Sequence, residues 1–171
     1  MGTMLQSAGL KAGELPELLN ISSPETVLAV HRGYAEAGSE YITTNTFGAN
    51  SLKFDNYAEL IKTGVKLAKS VGKKVLLDIG PTGKLLKPMG DLDFDDAIEI
   101  FAQMIRAGKD GADAVLIETM SDTYEIKAAV LAAKENCDLP IYVTMIFDEK
   151  RPPAYGCRHQ NRRYDAGGAW H

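Results

Sequence analysis

Short apolar segments alternate with longer segments of helical periodicity along the first 150 residues. Four of the short segments are nearly continuous in β-branched, aliphatic and aromatic residues, which is typical of strands buried on both faces of a parallel sheet. These segments are residues 41–44, 74–79, 114–117 and 141–147. Their starts lie roughly 30–40 residues apart, so each predicted strand leaves room for a helix after it.

Helical patterns fill the intervals between the predicted strands. Apolar residues recur at helical spacing over residues 24–35, 55–71, 91–107 and 121–136. Pro24 stands in the first turn of the first helix, and Gly72 ends the second. In the last helix, Ser121 is the predicted cap, and the residues predicted to face inward are Ile126, Ala129, Val130 and Ala133.

This alternation predicts an α/β protein, either doubly wound or a (β/α)8 barrel. No Gly-x-Gly-x-x-Gly follows a strand, which disfavours a dinucleotide-binding fold. Polar residues gather where the strands are predicted to end: Thr43, Thr44, Asn45, Asp78, Glu118, Thr119 and Thr144. Because barrel active sites are built at those ends, the pattern favours a barrel with a site there.

Composition excludes several classes of protein. The 171 residues carry a net charge of −4 without a basic stripe, which argues against binding to nucleic acid or to an anionic membrane surface. No run of about 18 apolar residues predicts a membrane span. The two cysteines, Cys137 and Cys157, are too few for a disulfide scaffold. The start lacks the pattern of a signal peptide, so we expect a cytoplasmic protein.

Two strand ends carry candidate binding residues. Glu118 directly follows a strand, where a carboxylate can hold an ammonium group; it is equally consistent with an acid at a helix start. Asn45 opens a segment in which Gly48 would let a ligand approach closely, although turns use the same residues. His31 within a helix and Cys137 after one are expected to be structural, because neither has a partner at metal or catalytic spacing.

Four sequence motifs, taken in their order along the chain, point to a known family: Met1–Gln6, Tyr41–Asn50, Asp78–Gly83 and Ile117–Met120. Together they strongly resemble the homocysteine-binding (homocysteine S-methyltransferase) domain of cobalamin-dependent methionine synthase. The resemblance covers residues 1–150 and implies a (β/α)8 fold. Because such a barrel needs roughly 250 residues, we expect an α/β chain that forms an incomplete (β/α)8 TIM barrel.

The resemblance also implies a reaction. Family members transfer a methyl group to the sulfur of homocysteine, which attacks as a thiolate bound to zinc, and in this branch methylcobalamin on a separate module is the donor. A metal-bound thiol is deprotonated at neutral pH, which makes it a nucleophile. By motif, Gly2 and Thr3 would lie in the first βα loop beside the substrate, Asn45 near the pocket, and Glu118 at the substrate ammonium.

Departures from the family pattern limit these expectations. The strand that precedes Met-Gly-Thr in the family is missing, and the zinc-binding cysteines of the family lie beyond the position of Lys150, where the resemblance stops. Cys157 matches no family motif, so no metal ligand or catalytic residue is assigned. We expect the chain alone to be inactive. The alternative is a non-catalytic barrel fragment that needs a complementing chain; a third hypothesis is an enzyme with Asp78 or Glu118 as general base.

Residues 151–171 differ in composition from the rest. They contain four Arg and no Lys, Leu, Ile, Val, Met or Phe, and carry +3 against −7 for residues 1–150. Read one nucleotide later, permitted codons for these residues spell GRLLTGADIKTAVMTLEGLGM, which resembles the continuation in the family. We therefore expect an out-of-frame tail created by a single-nucleotide shift near codon 150; the alternative is a natural divergent or disordered tail.

Overall fold

A computed structural model describes residues 1–11 and 13–147. The strands are β1 Tyr41–Thr43, β2 Lys74–Ile79, β3 Ala114–Met120 and β4 Ile141–Met145. The α-helices are α1 Gly2–Ser7, α2 Leu19–Ser22, α3 Pro24–Glu36, α4 Tyr57–Lys69, α5 Phe94–Gly108 and α6 Thr123–Asn136. Two 3₁₀ turns, η1 Pro16–Leu18 and η2 Lys109–Gly111, complete the elements.

The four strands form one parallel sheet in the order β1-β2-β3-β4, with an α-helix between each strand and the next. Ile42 pairs with Val75, Leu77 with Val115, and Ile117 with Val143. All four predicted strands are confirmed; β3 runs on to Met120, and β4 ends at Met145 instead of residue 147. Parallel pairing places the carboxyl ends of all four strands at one edge of the sheet.

One face of the sheet packs against the helices. Leu77 and Ile79 of β2 and Val115 and Ile117 of β3 alternate onto this face and are fully buried. The helices supply the other half of the core, and their fully buried apolar residues include Leu60, Ile61, Phe101, Ile105, Ala129 and Ala133. Burial of each large side chain contributes about 1.5–3 kcal/mol, so this layer provides most of the stabilisation.

The opposite face of the sheet carries the alternate residues of the same strands. Leu76 and Asp78 of β2 point to this inner face, together with Leu116, the register partner of Asp78. Leu76 and Leu116 are only half-buried, and Tyr142 of β4 is half-exposed. No helix of the described residues covers this face as α4, α5 and α6 cover the other, which is the arrangement expected for part of a barrel wall.

Strand β4 forms one edge of the sheet and leaves apolar side chains in contact with solvent. Tyr142 and Val143, which point to opposite faces, are 50% and 42% exposed, and Ile146 just beyond the strand is 56% exposed. An uncovered parallel edge with apolar side chains on both faces is rare in isolated domains. Within the described part of the chain, this edge therefore lacks a neighbouring strand or helix that would cover its apolar side chains.

Helix α6 contacts α5 and β3 through alanines. Its fully buried apolar residues are Ala128, Ala129, Ala132 and Ala133. The buried face of α6 is turned by part of a helical turn from the predicted one, since Ile126 and Val130, which were expected to face inward, are only partly buried. Small side chains let α5 approach α6 closely, and this close packing stabilises the helix pair more than burial of Ile126 and Val130 would. Asp122, and not the predicted Ser121, caps the helix, and its Oδ1 accepts from the Tyr124 N–H at 2.8 Å.

Helix α3 carries the one histidine of the described residues. His31 is fully buried, and neither ring nitrogen has a hydrogen-bond partner there. Burial, with a smaller contribution from the positive charge of the Met1 α-amino group, lowers the pKa of His31 to about 4. The ring therefore packs as a neutral group, in line with the structural role expected from its sequence position.

None of the helices within the described ranges is long and apolar enough to span a bilayer. The boundary at Lys150, the tail 151–171 and Cys157 lie outside the residues that the structure describes, so the predictions made for them stay predictions.

His31 should make the fold sensitive to mild acid. Its folded pKa of about 4 lies below the ordinary 6.5. The contribution of neutral His31 to the free energy of unfolding is therefore fully present above pH 6.5, and it falls by up to about 3 kcal/mol as the pH drops toward 4. We expect His31→Leu to flatten this dependence in urea unfolding followed at pH 7, 6 and 5. The exposed neighbour Arg32, changed to Gln, is the control; parallel pH profiles for His31→Leu and the unchanged chain would contradict the assignment.

Candidate functional site

Polar side chains collect at the carboxyl end of the sheet. Thr44, Asn45 and Thr46 follow β1, Asp78 is the penultimate residue of β2, and Glu118 lies near the end of β3. The first four are buried, with 4% or less of each exposed, and Glu118 is half-buried. The structure therefore brings together the strand-end residues that the sequence placed at separate positions along the chain.

Two threonine hydroxyls hold the main chain of Asp78. The Thr46 hydroxyl donates to the Asp78 carbonyl at 2.7 Å, and the Asp78 N–H donates to Thr44 Oγ1 at 2.9 Å. The two hydroxyl oxygens lie 2.6 Å apart. Since the Thr46 proton is already used, the Thr44 hydroxyl donates to Thr46. These bonds extend the pairing of β1 with β2 beyond the end of β1 and fix the position of Asp78.

The carboxyl group of Asp78 is buried without a matching donor. Its Oδ1 has no hydrogen-bond partner among the described residues. Burial, repulsion from the Glu118 carboxylate and a hydrogen bond between the two acids together raise the pKa of Asp78 well above its ordinary value. Asp78 is thus the acid that holds a proton in this pair, with Glu118 beside it on the neighbouring strand.

Glu118 lies at an irregularity in β3. The register between β3 and β4 shifts between Ile117 and Met120, and Thr119 adopts a left-handed conformation with φ of 61°. That conformation is strained for a β-branched residue, and the Thr119 N–H is held by Thr144 Oγ1 at 3.0 Å. Bulges of this kind change the direction of a side chain at the end of a strand.

Asn45 is engaged by the protein itself. Its Nδ2 donates to the Pro16 carbonyl at 2.7 Å and to Asn20 Oδ1 at 3.0 Å, which uses both of its protons. Asn20 in turn donates to the carbonyls of Asn45 and Leu60 at 2.8 and 3.0 Å. Asn45 is therefore near the site as expected, but its amide ties α2 and η1 to the end of β1, and only its oxygen remains for a ligand.

Two members of the site, Asn20 and Glu17, were not predicted from the sequence. Glu17 is buried in η1, its Oε1 accepts from the Gly48 N–H at 2.7 Å, and its charge also raises the pKa of Asp78. A Cβ on Gly48 would lie 2.8 Å from this oxygen, so the close approach requires glycine. Both residues lie in short helical turns without a periodic pattern, and only the fold brings them to the strand ends.

Gly2 and Thr3 do not lie in a loop. They form the first turn of α1, and both are exposed. The expectation of a loop was wrong, because the backbone from Met1 onward makes helical hydrogen bonds, such as the Leu5 N–H to the Met1 carbonyl at 3.1 Å. The positive charge of the Met1 α-amino group slightly offsets the rise in the pKa of Asp78, so α1 starts within electrostatic reach of the site.

The loop after β2 is anchored to helix α6. Glu125 is buried, and its Oε1 accepts from the Thr82 N–H at 2.8 Å and from the Thr82 hydroxyl at 2.6 Å. Gly80 leaves space for the Phe47 ring, whose carbons would lie 2.6 Å from a Cβ at that position. These contacts hold the loops after β1 and β2 together at the border of the site.

A zinc site of the family type has no ligands in the described part of the chain. Within residues 1–11 and 13–147, no three His, Cys, Asp or Glu side chains come together as a metal-binding group. Cys137 ends α6 before β4 starts, beside an open cleft of about 430 Å³ at the amino end of the sheet, and its Sγ donates to the Ala133 carbonyl at 3.4 Å. It therefore lies at the opposite end from Asp78 and Glu118.

Comparison with known sequences gives consistent matches. The family model described as Homocysteine S-methyltransferase matches residues 1–159. Over 156 residues the chain is 31% identical to methionine synthase of Mycobacterium tuberculosis (strain ATCC 25618 / H37Rv) and 32% identical to methionine synthase of Mycobacterium leprae (strain TN). Each alignment covers 78% of this chain and 13% of the relative, so the chain spans a small part of these curated relatives.

Solved structures give the fold. The metallated form of the homocysteine methyltransferase MmuM from Escherichia coli superposes with a TM-score of 0.71 at 19% identity, covering 82% of this chain and 59% of that one. Its oxidised form gives a TM-score of 0.72, covering 84% and 59%. The prediction of an incomplete (β/α)8 barrel is confirmed: the described residues form four consecutive strands of such a barrel, with the polar site at their carboxyl ends.

These features define a barrel α/β protein with an acidic site at the strand ends. The family model matches most of the chain, so the chain belongs to the homocysteine S-methyltransferase family. The resemblance inferred from its motifs is confirmed.

Two glycines test the packing under the site. A Cβ on Gly64 of α4 would lie 2.7 Å from Asn20 Nδ2 and 2.8 Å from Thr46 Cγ2, so we expect Gly64→Ala to cost about 1–3 kcal/mol in urea unfolding. Gly33 of α3 has open space around it, and Gly33→Ala should instead stabilise the chain by about 0.5–1 kcal/mol. Equal effects of the two substitutions would show that the Asn20 contacts do not constrain α4.

Proposed function

We propose that this chain provides the part of a homocysteine S-methyltransferase that holds the amino-acid end of homocysteine. Glu118 binds the substrate ammonium, Asn45 lies at the pocket wall, and the start of α1 with Gly2 and Thr3 lies on the substrate side of the site. The observation that carries this proposal is the acid pair of Glu118 and buried Asp78 at the strand ends of a chain in this family.

The charge of the site matches this ligand. Glu17, Asp78 and Glu118 lie at the same end of the sheet, and among the described residues the positive charge that offsets them at Asp78 is the Met1 α-amino group. An ammonium group placed beside Glu118 gains a charge-assisted hydrogen bond in a partly desolvated position. The hydrophobic inner face below, with half-buried Leu76 and Leu116, offers an apolar surface to a short aliphatic side chain.

In the proposed reaction, the homocysteine sulfur accepts a methyl group and methionine is formed. The family resemblance assigns activation of the thiolate to zinc and the methyl donor to methylcobalamin on a separate cobalamin module. The described residues do not fit a zinc site, so their contribution is substrate binding and orientation. The chain covers 13% of its methionine synthase relatives, which leaves room for the donor module in such proteins.

Glu118 is the residue that tests the proposal. Because Glu118→Gln removes the negative charge but keeps the shape, we expect binding of L-homocysteine, measured by isothermal titration calorimetry, to weaken at least tenfold, as for loss of a charge-assisted bond of about 1.5–3 kcal/mol. The control is Glu99→Gln, an exposed acid on α5 that pairs with Arg106. Unchanged affinity in Glu118→Gln would contradict the proposed role.

A second candidate function is a non-catalytic barrel fragment that pairs with a complementing chain. The exposed apolar edge of β4, with Tyr142, Val143 and Ile146, favours it, because a barrel strand at that position would pair with a further strand. The two functions differ in the role of this chain: it binds the amino-acid end of homocysteine in the first, and it only completes a barrel with another chain in the second.

Complementation tests the second candidate. We expect the chain alone to form no methionine and to bind no stoichiometric zinc, and to form one defined complex in size-exclusion chromatography with a chain that carries the remaining strands of the family barrel. Val143→Lys should weaken that complex, because it places a charge on the β4 edge, whereas Tyr34→Lys, an exposed aromatic position on α3, should not. Zinc-dependent turnover by the chain alone would contradict this expectation.

A further inference from the structure

Three buried acids of the described residues differ in what satisfies them. Glu17 accepts from the Gly48 N–H, and Glu125 accepts from the Thr82 N–H and hydroxyl. Asp78 is only 4% exposed, and its Oδ1 accepts no hydrogen bond among the described residues. Thr44 and Thr46 bind its main chain and not its carboxyl group. An unsatisfied buried acceptor is costly, so its persistence at a strand end points to a missing donor.

The register shows which way this oxygen faces. Asp78 pairs with Leu116, and two residues further along β3 the Glu118 carboxyl lies close enough to Asp78 for a hydrogen bond between the two acids. Both carboxyl groups therefore lie on the inner face of the barrel wall at its carboxyl end. A carboxylate at the buried Asp78 position would be repelled by the Glu118 carboxylate beside it, so Asp78 is the acid that holds a proton.

We propose that Asp78 is a second carboxyl group for the substrate ammonium, and that the ammonium replaces a proton which Asp78 carries beside Glu118 in the ligand-free protein. This inference rests on the proposed function, and it adds the partner residue and the proton. A primary ammonium group has three donors, so one can reach Glu118 and another the unsatisfied Oδ1 of Asp78. The displaced proton leaves to solvent, and no covalent bond is formed or broken in the substrate.

The groups that face Asp78 determine the direction of the pH effect. Glu118 on β3 and Glu17 on η1 raise its pKa, together with burial, and the Met1 α-amino group at the start of α1 lowers it by less. Binding of a cation favours the ionised form, so the ligand lowers the pKa of Asp78. Affinity should therefore rise with pH, by up to about tenfold per unit, until Asp78 is ionised in the free protein.

Calorimetry in two buffers of different ionisation enthalpy measures the released proton. With L-homocysteine below the pKa of Asp78, we expect release approaching one proton per ligand bound. Asp78→Asn should abolish the release and flatten the pH profile of the affinity, while Asp91→Asn, an exposed acid near the loops, should leave both unchanged. The desamino analogue 4-mercaptobutanoate keeps the thiol and carboxylate, and it should bind without proton release.

The outcomes distinguish this inference from the proposed function. Homocysteine binding without a linked proton, or proton release that persists in Asp78→Asn, would overturn the role of Asp78 and leave the proposed function standing. If homocysteine does not bind at all, the proposed function fails. The proton on Asp78 is then tested in the ligand-free chain by carbon-13 NMR of the carboxyl groups. Asp78 must then titrate above the ordinary aspartate range, and its pKa must fall in Glu118→Gln; titration in the ordinary range overturns the proposal.

Discussion

Parallel pairing of the four strands is the constraint on which the rest of this structure depends. Each connection must cross over from one end of the sheet to the other, and all strand carboxyl ends meet at one edge. Because the strands also follow one another in sequential order, right-handed crossovers place the helices on one face. Polar residues that are 30 or more positions apart then become neighbours, as Thr46 and Asp78 do through a 2.7 Å bond. The same constraint leaves the inner face and the β4 edge exposed wherever further strands are absent from the described residues.

The strand ends combine a rigid backbone with an unsatisfied carboxyl group. Thr44 and Thr46 fix the main chain of Asp78, and the Thr119–Thr144 contact holds the bulge that carries Glu118. Most buried polar groups nearby are paired within the protein, including Asn20, Asn45 and Glu17. Because the surroundings are satisfied, the free oxygen of Asp78 stands out as a group available to a ligand. Strain at Thr119 fits the same picture, since strained backbone conformations concentrate at functional sites.

Some parts of the site followed from sequence patterns and others did not. Glu118 and Asp78 were recognisable because each ends an apolar strand, and Asn45 because it follows one. Asn20 and Glu17 were not, because short helical turns carry no periodic signal and their contacts reach 25 and 31 residues along the chain. Gly2 and Thr3 were expected in a loop from the family motif, but local hydrogen bonds from Met1 onward make a helical turn there.

The sequence by itself determined the four strands, the helices between them and the family, because apolar periodicity and strand-end motifs are local properties of the chain. It also placed the acids at the strand ends. Only the tertiary structure decided which acid is buried without a donor, that Asn45 is occupied by α2 and η1, and that α6 packs through alanines. Each of these depends on the distance between elements, and that distance is set by how sheet and helices pack together, which no local pattern encodes.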